Sequence, residues 1–354
     1  IRHAGLSTTN GNLARSGNAR PWPMIRLSTA GYKPLPFAGK WLSFKGEYDE
    51  GILNDNRYVD QARLHHKSLY FKVNPSAGWE IRMGAEHFVM WGGTSTDERI
   101  GAMPESLKAY WHYIRGSAGD ETFPQTDQLN VAGNQLGTYQ LEIQKKWKES
   151  ELTFYLSHPF EDFSGVNWRN WPDNLLGIHL NLRNKNAIVT DVLYEYTHTL
   201  QQSIRDSLYM WNEDQERWIP QEYDSYYTHG VYKSGFTYHQ KTISSPLFFP
   251  VQLDERGIPT SGRAIASTRF RAHHFALKGF LSPHLKWKGL ITSLHHFGNY
   301  GAPLEPSRTQ ISGLLEFNYI NPSFPLEIGL SAALDNGSNI TANTGLRLSV
   351  TKRW

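Results

Sequence analysis

Between Thr138 and Lys148 the chain reads TYQLEIQKKWK, with Tyr139, Leu141, Ile143 and Trp147 on odd positions. Thr138, Gln140, Glu142, Gln144, Lys146 and Lys148 occupy the even ones, and Lys145 is the exception. A β-strand sends alternate side chains to opposite faces, so one face here requires an apolar medium and the other a polar one. The alternation recurs at Leu152–Leu156, Leu176–Leu182, Ile188–Tyr196, Ile311–Tyr319, Leu326–Leu334 and Leu346–Trp354. Met24–Thr29, Trp41–Asp49, Lys67–Val73, Gly78–Met90, Thr268–Leu281 and Leu285–Phe297 bring the number of predicted strands to thirteen.

What lies against the apolar face is decided by composition and by the connections. Mean hydropathy is −0.53, and no run approaches the ~18 apolar residues of a spanning helix. A strand that crosses a bilayer needs only every second residue to be apolar, so a barrel survives this test. Short turns at Asn74–Gly78, Glu149–Ser150, Asn184–Asn186, Ser282–His284 and Asn321–Pro325 alternate with long connections. The long ones are Glu50–Asp60, Gly92–Gly137, Pro159–Asp173, Thr199–Ser267 and Gly298–Ser307. An outer-membrane barrel segregates loop length by end, and a soluble sandwich has no reason to. The face opposite the apolar set carries Glu80, Arg82, Glu86, Glu142, Asp191, Glu195 and Arg347, which reads as a wet lumen. The expected fold is therefore all-β: a large antiparallel transmembrane β-barrel that forms a single domain over residues 1–354.

A barrel with both termini in the periplasm has an even number of strands, and thirteen is odd. The expectation is a barrel of about 16–18 strands whose N-terminal strands precede this chain, with one hidden pair near Val231–Ile243. The segment PESLKAYWHYIRG predicts a short helix with Pro104 at its first position and Gly116 as its stop. It falls in an outer loop, where a cap or plug is the natural role.

Net charge is +3 with no dense basic run, so no nucleic-acid partner is expected. The chain has no cysteine, which removes disulfides and thiolate chemistry. Of its 15 histidines, six form the pairs His65–His66, His273–His274 and His295–His296. Neighbours on a strand point to opposite faces, so no pair can chelate one metal, and neither metal nor cofactor is expected. Ser293 and His295 share a face, as a barrel lipase would require, but such pairs also arise by chance. Glu161, Asp162, Glu213, Asp214 and Glu216 lack a fixed separation for glycoside hydrolysis and read as loop charge. No catalytic residue is assigned.

The aromatic loops carry more. FSGVNWRNWPDN places Trp168 and Trp171 among Asn167, Arg169, Asn170 and Asp173. YMWNEDQERWIPQEYDSYY adds Tyr209, Trp211, Asn212, Trp218, Tyr223, Tyr226 and Tyr227. Flat rings beside planar hydrogen-bonding groups suit sugar faces; the other reading is the aromatic girdle of any outer-membrane barrel. The candidate glycan contacts are Trp168, Arg169, Asn170, Trp171, Trp211, Asn212, Trp218, Tyr226 and Tyr227, and Trp354 is assigned to the girdle.

In the order of its blocks the sequence resembles the Wzi-type capsule assembly family. These blocks are SGNARPWPMIRLS, KWLSFKGEY, LHHKSLYFKV, GAEHFVMWGGTS, MPESLKAYWHYIRG, GNQLGTYQLEI, VLYEYTHT and YTHGVYKSGFTYHQKTISSPLF. The resemblance implies a roughly eighteen-stranded outer-membrane lectin that holds capsular polysaccharide at the cell surface, with no catalytic residues to carry over. Its partners would be capsular polysaccharide, outer-membrane lipid and other outer-membrane proteins. A porin-like channel and a structural subunit of a larger assembly are the alternatives.

Overall fold

The computed structural model describes residues 2–352 except Lys40, Lys185, Asp206, Ser207, Asp214, Gln215, Arg256, Ser261, Arg263 and Phe324. Trp354 and Asp214 thus lie outside the described residues. Thirteen long strands follow one another along an antiparallel wall. In chain order they are β1 (Met24–Ser28), β2 (Leu42–Ile52), β3 (Arg63–Val73), β4 (Trp79–Trp91), β5 (Asn134–Lys146), β6 (Ser150–Phe160) and β7 (Asn174–Leu182). Then come β8 (Asp191–His198), β9 (Arg269–Ser282), β10 (Leu285–Asn299), β11 (Ala302–Tyr319), β12 (Leu326–Gly337) and β13 (Asn343–Lys352). Each pairs with its chain neighbour, and Lys33–Pro34 adds a short strand to β2. Among the described residues β1 and β13 do not pair with each other. Among the described residues no helix is long and apolar enough to cross a membrane.

Register turns the period-two pattern into two continuous bands. Ile81, Ile143, Phe154, Ile178, Tyr194, Phe275 and Ile291 are successive cross-strand partners from β4 to β10, and all point outward. Phe154, Ile178, Tyr194, Phe275 and Ile291 are each about half exposed. One residue along, Arg82, Glu142, Tyr155, Gly177, Glu195, His274, Thr292, Ser312 and Asp335 form the parallel inward row. Gly177 is glycine for a steric reason: a Cβ there would lie 2.0 Å from the Tyr155 ring, which lies across it to reach Glu195.

The interior differs from the expected wet lumen. Two segments fill it. Leu6 and Leu13 pack on Tyr155, Leu175, Leu193 and Ala276, while residues of the 199–268 connection pack on Leu64, Phe88, Met90 and Phe270. The inward charges are matched by these segments and by each other. Glu195 accepts from Ser7 Oγ at 2.5 Å, Thr8 N at 2.9 Å and Tyr155 OH at 2.7 Å. Glu86 accepts from Asn12, and Glu142 pairs with Arg82. Alternation requires a polar partner for such groups and does not say whether that partner is water or protein.

Three further expectations change. The helix α1 spans Leu107–Arg115 with Ser106 as its cap, whose Oγ accepts from Ala109 N at 3.1 Å. A side-chain acceptor satisfies a free N–H of the first turn, which Pro104 cannot do. Gly116 ends it in the left-handed region as expected. The helix is not a plug: it lies on the outward side of β3 and β4, packing Ala109 and Tyr113 against Val89 and Trp91. The pair sought near Val231–Ile243 exists only as Thr237–Tyr238 with Lys241–Thr242, inside and off the wall. Gly298–Ser307 is a hairpin extension with a turn at 300–301, not a long loop. Pro306 fits because Leu304–Ser307 lie in a register shift opposite Phe297, where no ladder donor is required.

Connections at one end, 74–78, 147–149, 183–190, 283–284 and 320–325, are short except for 29–41. At the other end 92–133, 161–173 and 199–268 are long. That end carries the aromatic loops.

Candidate functional site

The 161–173 loop is built by its own carboxylates. Asp162 caps the short helix α2 (Phe163–Val166), accepting from Ser164 N at 2.8 Å and Gly165 N at 3.4 Å. Asp173, fully buried, gathers four donors: Tyr226 OH at 2.8 Å, His198 Nδ1 at 3.0 Å, Gln201 N at 2.9 Å and Gln202 N at 2.7 Å. It ties the loop to the segment that fills the interior. In the sequence it stood out only as a neighbour of the tryptophans, since nothing local announces four distant donors.

The candidate contacts separate into three groups. Asn170, Tyr226 and Tyr227 are buried. Asn170 Nδ2 donates to Pro159 O at 2.8 Å and to Tyr226 OH at 2.9 Å, and Tyr227 donates its OH to Leu13 O at 2.8 Å. These three hold the loops together. Trp168 stacks on His158 at 3.9 Å and 6° and lies in line with Tyr139 at 5.7 Å and 3°. Tyr139 and His158 belong to the outward rows of β5 and β6, so Trp168 covers the outside of the wall, with Trp171 6.0 Å away and Arg169 exposed.

The third group is the hairpin Tyr209–Asn212 with Arg217–Pro220. Trp211 pairs directly with Trp218 across it, ring centroids 5.8 Å apart at 71°. Tyr209 lies on the same face as both tryptophans, and Asn212 lies on the opposite one. Trp211 is 48% and Trp218 64% exposed, which leaves an open aromatic face at the long-loop end. Arg217 anchors the hairpin to the tip of β10–β11 through Glu305 at 3.0 Å and Tyr300 O at 2.9 Å.

A polar cavity of about 480 Å³ opens among the same loops, lined by Asn130, Asn134, Glu161, Tyr223, Asp224 and Lys233 among others. Burial, then repulsion from Asp224, raises the Glu161 carboxyl well above its ordinary range, against a bond from Tyr227 N at 2.6 Å. Burial and the nearby Asp162 push Asp224 up to about 7, although Ser203 donates to it at 2.6 Å. Glu213 and Glu216 are exposed loop charges.

The histidine pairs divide between faces. His65 and His273 face outward, to Glu50 and Tyr194, while His66 and His274 face inward, to Asp49 and Leu6 O. His295 points out to Ser307 Oγ at 2.8 Å, so its partner is not Ser293, and His296 is buried against Phe270. Glu47, Asp49 and His66 come close enough to share an ion, but Asp49 already holds a two-pronged bond from Arg26 at 2.8 and 2.9 Å.

An antiparallel wall with an apolar outer band, a polar filled interior and long aromatic loops at one end has the build of an outer-membrane-type β-barrel. The chain belongs to the capsule assembly protein Wzi family, whose model matches residues 7–248. In fold it is similar to Wzi of Escherichia coli, described as an outer membrane protein involved in group 1 capsule assembly and a carbohydrate-binding β-barrel. That likeness has a TM-score of 0.61 at 16% identity and covers 96% of this chain and 63% of that one. The chain thus spans less than two thirds of that protein's length. LpxR from Salmonella typhimurium gives a TM-score of 0.22 at 10% identity over 92% of this chain and 86% of that one, too low to argue from. No curated protein matches the chain.

Proposed function

We propose that this chain forms most of an outer-membrane barrel that binds capsular or exopolysaccharide and helps attach or assemble it at the cell surface. Family membership and the carbohydrate-binding description of the Escherichia coli relative support the reading. The observation that carries it is the exposed Tyr209–Trp211–Trp218 face, held at the long-loop end by the bonds of Arg217 to Glu305 and Tyr300. Aromatic faces cover the C–H patches of a pyranose, while Arg169 and the cavity amides pair with hydroxyls; Asn212, on the other face of the hairpin, does not. Each ring gains roughly 25 cal/mol per Å² of apolar surface removed from water, so one contact is weak. Retention of a polymer then requires many contacts along one chain. Trp171 stands exposed beside Trp168 on the outside of the wall, and Asn170, Tyr226 and Tyr227 hold the loops together from within. Binding without bond cleavage is the assigned activity, and the occupied interior argues against a diffusion channel.

The test is a double variant, Trp211→Ala with Trp218→Ala, assayed for surface polysaccharide and for binding of the purified barrel to the polymer. We expect loss of polymer at normal barrel abundance in the outer membrane. A full surface layer and unchanged binding would remove the hairpin from the site and return attention to Trp168 and Trp171.

A further inference from the structure

Near the long-loop end the outward face of β8–β9–β10 changes character. Below it the face is apolar, with Phe275 and Ile291 exposed. Above them come His273 and then Arg271, both exposed on β9. Arg271 has His198 of β8 as its partner on one side and His295 of β10 on the other. Tyr194, Tyr196 and Ser293 complete the surface on the same outward rows, and Phe297 stacks on His295 at 4.4 Å.

The contacts within this patch leave its donors directed outward. Tyr194 OH lies 2.8 Å from His273 Nδ1, which occupies one ring nitrogen and leaves Nε2 clear of that contact. His198 Nδ1 donates to Asp173 at 3.0 Å, which fixes this ring beside Arg271. The Arg271 guanidinium sits 5.9 Å from the Phe297 ring, and among the described residues no carboxylate pairs with it. An unpaired guanidinium among imidazoles and phenols, directly above a lipid-facing apolar band, has the donor set of an anion site at headgroup depth.

We propose that Arg271, flanked by His198, His273 and His295, binds a phosphate group of a phosphorylated glycolipid in the outer leaflet. The inference rests on the outer-membrane reading, which puts the long-loop end on the outer side. Guanidinium and phosphate match as a two-pronged pair, Nε2 of His273 and the Tyr196 hydroxyl supply further donors, and Phe275 and Ile291 meet the acyl chains. The site would anchor the barrel laterally at fixed depth, independently of the polysaccharide face on the loops above.

The test uses the intact protein purified from membranes and reconstituted with lipid A carrying its phosphates or with the dephosphorylated form, bound lipid being counted by native mass spectrometry. Wild type should retain the phosphorylated lipid roughly five- to tenfold better. Arg271→Gln with His273→Gln should abolish that preference, whereas Lys145→Gln, which removes an outward cation at the opposite end, should leave it intact. Equal retention of the two lipids by wild type, or full preference in the double variant, would overturn the proposal, and the first comparison needs no variant to fold. Membrane fractionation separates the two readings. A protein absent from the outer membrane refutes the proposed function, and an inserted barrel without lipid preference refutes only this site.

Discussion

Tyr226 donates its hydroxyl to Asp173 at 2.8 Å inside the barrel wall, joining the loop of Trp168 and Trp171 to the segment that fills the interior. Burial, and then the Asp173 charge, raise the Tyr226 phenol well above its ordinary value, so it stays a donor at any working pH. Tyr226→Phe deletes one of four bonds to a buried carboxylate and should cost about 1–3 kcal/mol. Asp173→Ala leaves all four donors without their acceptor and should cost more. Limited proteolysis should open the 161–173 and 199–227 loops first, before the wall unfolds. Equal protease resistance in Asp173→Ala would mean the loops are held by other contacts.

The outward band sets a second expectation. Ile143 and Ile178 flank Phe154 in one cross-strand row, and an arginine at either, if it sits near the bilayer midplane, should cost roughly 2–4 kcal/mol of folding in lipid. Ile143→Leu should be nearly neutral. Urea titration of the refolded barrel in vesicles checks both.

A third concerns pH. Glu161 and Asp224 both hold protons in the fold at pH values where the unfolded chain has lost them, Asp224 moving from 3.8 to about 7. A carboxyl whose folded pKa is raised contributes stability that is present below its unfolded value and lost as pH rises through the folded one. Loop stability should therefore fall between about pH 4 and 7, by roughly 4 kcal/mol for Asp224 before relaxation. Asp224→Asn should flatten this dependence and protect the loops above neutrality. Proteolysis rates across the pH series provide the measurement, and a slope unchanged by the substitution would contradict the assignment.

The filled interior predicts conductance. Because residues 3–22 and much of 199–268 occupy the space inside the wall, the intact protein should show no large steady conductance in planar bilayers. Glu195→Ala removes the acceptor for Ser7, Thr8 and Tyr155, and should produce brief openings as the N-terminal segment loosens. Steady porin-like current in the wild type would reverse the reading.

Alternation by itself determined the wall. Side chains on a strand have a fixed period of two, so Leu141 and Ile143 against Gln140 and Glu142 specified strand and face without knowledge of any partner. The same local geometry separated His65 from His66 and His273 from His274. Turn formers located the short end, although Gly298–Ser307 is strand rather than a long connection, because a register shift accommodates Pro306 where a regular ladder could not. What filled the barrel was not readable, because Glu195 and Glu86 present the same sequence whether water or Ser7 and Asn12 satisfies them. Nor could composition sort the aromatics. Trp168 lies on the outer wall over His158, Tyr226 is buried on Asp173, and Trp211 and Trp218 stand open together. Those fates depend on contacts between residues tens to hundreds of positions apart, and only the folded chain brings them within reach.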